Sequence, residues 1–210
     1  MSLTLHGYWR SSAAYRVRLA LGLKGLAYDS VTHDLRTGAQ CDPAYLMLQP
    51  QGLVPALETT DGTLIQSPAI LEWLEECYPD PPLLPSDSAG RAVVRAMVAI
   101  VACDIHPINN LRILKHLRND LHTDEDTIKR WIGRWVSDGF AALETLILQH
   151  GSGYAYGDTP TLADCHLLPQ VYNAERFAVD LTPFPRLVAA AQTLRKRVPQ
   201  AAPEMQADAG

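Results

Sequence analysis

The apolar and polar residues at the start of the chain predict a strand, a turn and a helix. Residues 3–7 alternate between apolar and polar, which is the period of a half-buried strand. From Ala13 to Leu21 the apolar residues recur at helical spacing, and Gly25 supplies a stop signal. Residues 10–12 therefore lie in the turn from strand to helix, at the positive end of the helix dipole.

The segments that follow predict the rest of a small sheet domain. Asp61-Gly62 between two short apolar runs is a strong signal for a β-hairpin. Ser67 before Pro68 predicts the start of a helix, with Ser67 as the N-cap. The other predicted elements are a strand over 27–32, a short helix over 43–48, hairpin strands over 56–58 and 63–65, and a helix end before Pro79. A hairpin beside two strand–helix units implies a mixed sheet.

A proline-dense stretch, residues 80–87, is the best candidate for a domain boundary. It separates a predicted first domain, residues 1–83, from a second, residues 88–210, in which every signal is helical. The predicted helices are one over 89–119 that Pro107 should kink, one that opens with a capping-box pattern at 123–126, one that opens with a second capping box at 161–164, and a last one that ends near 198. The Ala- and Pro-rich tail from Gln200 predicts disorder.

Composition narrows the possible functions. The chain has 210 residues, 47% of them hydrophobic, and this is enough for one or two well-packed domains. Its net charge is −5. No run of Lys and Arg marks a nucleic-acid face, no apolar run is long enough to span a bilayer, and the N-terminus lacks the pattern of a signal peptide. We therefore expect a cytoplasmic protein with no nucleic-acid or membrane partner.

The four cysteines and seven histidines show no spacing typical of a metal site, so we expect no bound metal. Cys77 and Cys103 lie in apolar helical context. This context predicts that both are small, buried hydrophobic residues.

The predicted turn before the first helix is the strongest candidate for a functional site. Arg10, Ser11 and Ser12 place a guanidinium and two hydroxyls beside the free backbone N–H groups of a helix start, an arrangement that suits an anion. Spacing alone gives equal weight to a second interpretation, in which Ser11 or Ser12 only caps the helix.

Motifs across the whole chain resemble those of zeta-class glutathione transferases. They are the Ser-Ser-x-x-x-Arg-Val-Arg run at 11–18, Val54-Pro55, Gln66-Ser67, Asn109-Asn110-Leu111, Gly157-Asp158 with the capping box at 161–164, and the stretch 173–183. One residue departs from the class, because Ala13 stands where its members often have cysteine. This departure disfavours a cysteine-dependent oxidoreductase and leaves Ser11 as the expected thiol-activating residue.

The resemblance implies an α/β, thioredoxin-like N-terminal domain with a mixed four-stranded sheet, followed by an all-helical glutathione transferase domain. It also implies a glutathione cofactor, a homodimer and a cis Val54–Pro55 bond, with Gln66 and Ser67 holding the γ-glutamyl end of glutathione. The other residues at matching glutathione-binding positions are Ser11, Ser12, Ala13, Arg16, Gln40, Val54, His106, Asn110, Leu111 and Arg112. For His106, a structural hydrogen bond beside Pro107 is the alternative interpretation.

The implied activity is the glutathione-dependent cis–trans isomerisation of maleylacetoacetate, a small dicarboxylate, to fumarylacetoacetate. Ser11 would favour the glutathione thiolate, with Ser12 in a capping or secondary hydrogen-bonding role. Arg10 and Arg176 would bind the substrate carboxylates, and Arg112 is a third candidate. Addition of the thiolate to the double bond, rotation and elimination would return the trans isomer and regenerate glutathione.

Three alternatives stay open on the sequence alone. The substrate could instead be the closely related maleylpyruvate of gentisate degradation, or the chain could be a transferase that consumes glutathione on α-halo acids. It could also be a non-catalytic module that keeps the fold for dimerisation or ligand carriage. The presence of Ser11, Gln66 and Ser67 argues against this last interpretation.

Overall fold

The computed structural model describes residues 2–206 as four strands and eight α-helices, joined by loops and short 3-10 and π-helical turns. The strands are β1 (Thr4–Gly7), β2 (Asp29–Thr32), β3 (Ala56–Thr59) and β4 (Gly62–Ile65). The helices are α1 (Ser12–Leu23), α2 (Pro43–Leu46), α3 (Ser67–Cys77), α4 (Ser88–Ala99), α5 (Leu111–Asn119), α6 (Glu125–His150), α7 (Leu162–Arg176) and α8 (Pro185–Arg197).

The strands form one mixed sheet in the order β2-β1-β3-β4. β1 and β2 run parallel, whereas the β1–β3 and β3–β4 pairs are antiparallel. Leu5 and Leu57 lie opposite each other on β1 and β3 and are fully buried, and the helices α1 and α3 pack against each other. The predicted α/β fold with a mixed four-stranded sheet is confirmed, as is the helical character of the residues that follow it.

The contacts divide the chain into two compact units. Of the described residues, the first unit contains 2–83 together with 195–206, and the second is Leu84–Leu194. The predicted second domain, residues 88–210, therefore differs from the structure at its C-terminal end, because the last part of the chain belongs with the first unit.

The C-terminal end packs on α1 instead of forming a disordered tail. It makes two short 3-10 turns, and Ala201 and Pro203 within them are buried. The Nε of Arg18 donates a hydrogen bond to the Ala201 carbonyl, with an N–O distance of 3.0 Å. The predicted disorder is therefore wrong for residues 200–206, and the rest of that tail, residues 207–210, lies outside the described residues.

A buried ion pair holds the end of the first unit together. The Nζ of Lys24 lies 2.8 Å from the Glu75 carboxylate and donates to the carbonyls of Tyr78 and Pro81. The same carboxylate accepts the Leu83 N–H at 2.9 Å. Because both charges have several hydrogen-bond partners, their loss of water is compensated within the protein. The end of α1 is thereby joined to α3 and to the segment that leads out of this unit.

The long helix predicted over residues 89–119 is interrupted rather than kinked. α4 ends at Ala99, and a π-helical segment, Ile100–Ile105, and a 3-10 turn, Pro107–Asn109, follow before α5 begins. Pro107 lacks an N–H, and its ring clashes with the carbonyl four residues earlier, so the α-helical pattern fails upstream of it. The disturbance brings Ile105 so close to Gly139 of α6 that a Cβ at Gly139 would lie 2.4 Å from the Ile105 Cδ1.

The capping box predicted at the start of α7 is confirmed. Asp164 accepts hydrogen bonds from the N–H and the hydroxyl of Thr161, both at 2.9 Å, and from the Ala155 N–H at 2.7 Å. The loop before α7 is therefore attached to the helix start, and burial raises the pKa of Asp164 to about 6. The capping box predicted at 123–126 is wrong by one residue, because the N-cap of α6 is Asp124, whose side chain accepts the Thr127 N–H.

The prediction that Cys77 and Cys103 are buried hydrophobic residues is wrong, because both are exposed. Cys77 is the last residue of α3, and Cys103 lies in the π-helical segment. A π turn holds more residues than an α turn, so it moves Cys103 out of the apolar stripe that an unbroken α-helix would give.

The stretch Ser88–Asn119 is long enough to cross a membrane, and an 18-residue window within it has a mean hydropathy of 1.4. On these two criteria the expectation that no apolar run is long enough to span a bilayer is wrong. A mean hydropathy over a window can be high even where polar residues interrupt the apolar ones. Length and composition alone are weak evidence, because core helices of globular proteins meet the same test. In the structure this stretch is divided between α4, the π-helical segment, a 3-10 turn and α5.

A pair of histidines links β1 to the residue after β2. The Nδ1 of His6 lies 2.9 Å from the Nε2 of His33, and the Nε2 of His6 lies 2.6 Å from the Glu58 carboxylate. The ring of Tyr45 packs on His33 at a centroid distance of 4.0 Å. Burial and the neighbouring His6 lower the pKa of His33, whereas the negative charge of Asp42 raises it by less.

We predict that the first unit loses stability at mildly acidic pH through His33. Because the folded pKa of His33 lies below its unfolded value of 6.5, the unfolded chain binds this proton first. The contribution of neutral His33 to the free energy of unfolding is therefore present above pH 6.5 and is lost as the pH falls through the folded pKa. Urea unfolding from about pH 8 to pH 5 should give a flatter profile for His33→Gln than for the wild type. His116→Gln, at an exposed histidine on α5, is the control, and equal slopes for wild type and His33→Gln would contradict the prediction.

Candidate functional site

The turn between β1 and α1 is built around Ser11. Its N–H donates to the Tyr8 carbonyl at 2.9 Å, and its Oγ accepts the Ala14 N–H at 3.2 Å as the N-cap of α1. A hydroxyl has one proton and two lone pairs, so this cap uses a lone pair and leaves the proton for a second acceptor. The capping interpretation is therefore right for Ser11, and it does not compete with a role for the hydroxyl as a donor.

Ser12 and Ala13 are the first two residues of α1, and both are buried. Ser12 is therefore not the cap, contrary to one of its two predicted roles. Ala13 has no side-chain donor or acceptor, so only its backbone could contact a polar ligand. No cysteine stands at this helix start, as the sequence already indicated.

Arg10 lies next to Ser11 in the same turn and is only partly buried. Its Nη2 donates to the Tyr8 hydroxyl at 3.3 Å, and its guanidinium lies over the Trp9 ring, 4.9 Å from the ring centroid. A guanidinium that packs on an aromatic ring while its edge stays accessible can form a two-pronged hydrogen bond with a carboxylate.

A buried arginine joins α1 to the start of α3. Arg16 is 2% exposed, and its Nη1 donates to the Ser67 Oγ at 3.1 Å. Ser67 is the first residue of α3 and Gln66 is the N-cap, so the prediction of Ser67 as the N-cap is wrong by one residue. The Ser67 hydroxyl oxygen is instead used as the acceptor of the guanidinium. A positive charge thus lies beneath the positive end of a helix dipole, where an anion is favoured.

Gln66 has an unusual backbone conformation for a residue that is not glycine. Its φ is +68°, and its side-chain amide donates to the Gln51 Oε1 at 2.6 Å. Non-glycine residues in this region occur most often where a site imposes the conformation. Gln66 is exposed, so its backbone and its side chain are both accessible at the start of α3.

The loop that carries Val54 is held from beneath by two side chains. The Gln49 Oε1 accepts the N–H groups of Gln51 and Leu53, and the Tyr45 hydroxyl donates to the Leu53 carbonyl at 2.7 Å. The Val54–Pro55 bond is cis, as predicted.

Gln40 lies in a 3-10 turn before α2, where it is half-buried. Its Oε1 is buried and has no hydrogen-bond partner among the described residues. A buried acceptor of this kind is costly unless a ligand or water supplies the donor.

The remaining predicted site residues belong to the second unit. His106 follows the π-helical segment, and Asn110 is the N-cap of α5, where its side chain accepts the Arg112 N–H at 3.2 Å. Leu111 is 40% exposed. Arg176, near the end of α7, donates to the Asn173 Oδ1 at 3.2 Å and lies near the rings of Tyr172 and Phe177.

The predicted site residues therefore lie in six places: the turn and the start of α1 at residues 10–16, the 3-10 turn at Gln40, the loop at Val54, the start of α3, the stretch His106–Arg112 and the end of α7. Sequence reasoning missed the residues that support the first of these places and the loop before β3. These residues are Tyr8, Arg18, Tyr45 and Gln49. Each acts through a hydrogen bond that no local pattern signals. Within residues 2–206, no group of three or more His, Cys, Asp or Glu side chains could hold a metal ion.

Comparison with known proteins identifies relatives over the whole chain. The family model for the glutathione S-transferase N-terminal domain matches residues 5–82. A maleylpyruvate isomerase from Ralstonia sp is 51% identical over 96% of this chain and 99% of its own. A maleylacetoacetate isomerase from Pseudomonas aeruginosa is 52% identical over 88% of this chain and 87% of its own.

Solved structures give the same result. The holo structure of a maleylpyruvate isomerase, described as a bacterial zeta-class glutathione S-transferase, superposes with a TM-score of 0.95 at 50% identity and covers 98% of this chain and 99% of its own. A maleylacetoacetate isomerase from Anaeromyxobacter dehalogenans with bound GSH superposes with a TM-score of 0.89 at 43% identity, over 100% of this chain and 98% of its own.

We predict that the bond from Arg16 to Ser67 stabilises the first unit. Ser67→Ala removes an acceptor from a buried guanidinium, so the free energy of unfolding should fall by about 1–3 kcal/mol. Urea unfolding measures the change. Ser88→Ala is the matched control, because Ser88 is also the first residue of a helix but is exposed, and its loss should cost under about 0.5 kcal/mol. Equal stability of Ser67→Ala and the wild type would contradict the prediction.

Proposed function

The chain belongs to the zeta class of the glutathione transferase family, and on that premise we propose that it is a glutathione-dependent cis–trans isomerase. Its substrate is maleylacetoacetate, which it converts to fumarylacetoacetate. The observation that carries the proposal is the geometry of Ser11: its oxygen caps α1 while its proton stays available at the positive end of that helix.

The residues of the first unit fit glutathione by the chemistry of their donors and acceptors. Glutathione carries two carboxylates, an amine, two peptide groups and a thiol. The start of α3, with Ser67 above the buried Arg16, offers positive potential to a carboxylate. The buried Gln40 Oε1 offers an acceptor to an N–H group. We propose that Gln66 and Ser67 hold the γ-glutamyl end, and that the Val54 backbone pairs with a peptide group.

Glutathione, when bound, supplies a thiol whose ionised form adds reversibly to a double bond conjugated with a ketone. The protein's part is to keep that sulfur ionised and to stabilise negative charge that develops on the substrate. A hydrogen bond from Ser11 and the α1 dipole both favour the anion. Arg10, one residue away, provides a fixed positive charge for a substrate carboxylate or for the developing enolate oxygen.

Two carboxylates on the substrate call for more than one cation. We propose that Arg10 and Arg176 bind them, with Arg112 as a further candidate. The rings of Tyr172 and Phe177 beside Arg176 restrict its side chain and leave the guanidinium edge for a planar acceptor.

Maleylpyruvate is the second candidate substrate. The maleylpyruvate isomerase from Ralstonia sp matches nearly the full length of this chain, and a maleylpyruvate isomerase structure superposes with a TM-score of 0.95. Both substrates are cis-enedioate ketones, so the same thiol and arginines would serve either one.

The deciding experiment is a spectrophotometric assay with maleylacetoacetate, or its analogue maleylacetone, and with maleylpyruvate, each with and without glutathione. Isomerisation that requires glutathione but does not consume it supports the proposal, and the ratio of kcat/KM values assigns the substrate. Conjugate that accumulates at one per glutathione would instead identify a transferase. Isomerisation at the same rate without glutathione, or no turnover at all, would overturn the proposed function.

We predict that Ser11→Gly separates the hydroxyl's chemistry from its capping role. Glycine at an N-cap costs only a few tenths of a kcal/mol, so α1 should stay intact. The thiolate fraction falls tenfold for each unit by which the thiol pKa rises, so kcat at neutral pH should fall at least about tenfold. Glutathione affinity, measured by calorimetry, should change much less than kcat. An equal loss in both would mean that Ser11 only contributes to binding.

We also predict that Arg176→Ala raises KM for the dicarboxylate. Loss of a charge-assisted hydrogen bond should raise it about tenfold or more, while glutathione affinity stays near that of the wild type. Arg134→Ala is the matched control, since Arg134 is an exposed arginine of α6 paired with Asp138. An unchanged KM in Arg176→Ala would place the substrate carboxylates on other residues.

The homodimer and the cytoplasmic location expected from the sequence stay proposals. Sedimentation velocity over a range of protein concentrations tests the first, and a monomer at every concentration would contradict it. Fractionation of the producing cells tests the second.

A further inference from the structure

Arg18 is a buried arginine that the proposed chemistry does not use. It is 5% exposed, and its guanidinium lies 5.2 Å from the centroid of the Tyr15 ring. Its Nη2 donates to the Trp9 carbonyl at 3.1 Å, and its Nε donates to the Ala201 carbonyl at 3.0 Å. One planar group therefore joins two backbone segments that are far apart in the sequence.

The first of these segments is the turn that carries Arg10 and Ser11. The bond from the Ser11 N–H to the Tyr8 carbonyl closes this turn, so Trp9 and Arg10 are its two central residues. The carbonyl that Arg18 holds belongs to the peptide between them. Because a peptide group is planar, fixing its oxygen fixes the direction in which the backbone enters Arg10. Arg18 thus restrains the backbone of both candidate catalytic residues.

The second segment is residues 198–206, which we name the C-terminal strap. Val198 and Ala201 within it are buried. The strap touches α1 at Gly22, where a Cβ would lie 2.6 Å from the Val198 Cγ1. Glycine at this position lets the strap lie directly against the helix, and the Ala201 carbonyl then faces Arg18.

We propose that Arg18 is a positioning residue for the isomerisation, and that the C-terminal strap acts through it on the turn at Arg10 and Ser11. The inference rests on the proposed function and goes beyond it. Arg18 touches neither substrate nor sulfur in this scheme. Its guanidinium transmits the position of the strap to the Trp9 carbonyl, and a lysine cannot replace it because an ammonium lacks the planar fork that reaches both carbonyls.

The test compares Arg18→Lys and Arg18→Gln with the wild type in kcat, in KM for the dicarboxylate, and in the pKa of the glutathione thiol in the complex, read from its thiolate absorbance in the ultraviolet. A displaced turn should lower kcat by about 10- to 100-fold and raise the thiol pKa in both variants. Ile70→Val, a substitution in the core of the first unit, controls for lost stability and should leave the thiol pKa unchanged.

Gly22→Ala tests the strap without touching Arg18. The added methyl must displace Val198, so kcat should fall and the thiol pKa should rise in the same direction as in Arg18→Lys. Gly133→Ala is the matched control, because a Cβ at Gly133 on α6 meets nothing within 4 Å. The double variant Arg18→Lys with Gly22→Ala should be no slower than Arg18→Lys alone, since both changes act through the same contact.

Wild-type kcat and thiol pKa in folded Arg18→Lys, or full additivity in the double variant, would overturn the inference. If the Arg18 variants do not fold, Gly22→Ala decides: a thiol pKa equal to that of Gly133→Ala overturns it, and a raised one supports it. The proposed function is judged separately on the wild type. Glutathione-dependent turnover with unaffected variants refutes only the inference, whereas a wild type without such turnover refutes both.

Discussion

The hydrogen bond from Arg16 to Ser67 is the constraint on which the geometry of the first unit depends. It places a full positive charge in the interior, 2% exposed, at the point where α1 meets the start of α3. Such a charge needs acceptors around it, and the Ser67 hydroxyl oxygen is one of them. Gln66, one residue earlier, is the N-cap of α3, and its backbone adopts φ +68°. A buried cation, the positive end of α3 and an exposed glutamine therefore lie side by side, which is an arrangement that favours an anion.

Local signals in the sequence predicted most of the fold because they act over a few residues. The hairpin at β3 and β4, the stop at Gly25 and the capping box at Thr161 and Asp164 all depend on hydrogen bonds or dihedral angles within one turn. The predictions failed where a distant residue decides. Ser67 is the first residue of α3 instead of its N-cap, and its oxygen accepts from Arg16, 51 residues earlier. Residues 200–206 pack in the first unit, where Arg18, 183 residues away from Ala201, donates to the Ala201 carbonyl.

The candidate site divides in the same way. The residues that would contact a ligand, such as Ser11 and Gln66, were identified from short motifs and a resemblance. The residues that hold those side chains in place were not. Tyr8 under Arg10 and Gln49 under the loop before Val54 each bond to a residue two positions away, and Arg18 bonds to Trp9 nine positions earlier. These supporting bonds are close in the sequence, but they depend on side-chain geometry that no recognised motif records.

Ser11 can cap α1 and also donate a hydrogen bond to a thiolate, because a hydroxyl can form both bonds at once. Capping needs a lone pair, and thiolate stabilisation needs a proton, so a single hydroxyl can supply both. The capping bond from the Ala14 N–H also helps the Ser11 hydroxyl to donate to a thiolate. With its oxygen held by the Ala14 N–H at 3.2 Å, Ser11 cannot rotate freely, and its oxygen stays at the positive end of α1. Ala13 follows Ser12, so this helix start has no thiol of its own, and in the proposed chemistry the sulfur is that of glutathione. In that scheme the cap, the helix dipole and the bound thiol act together.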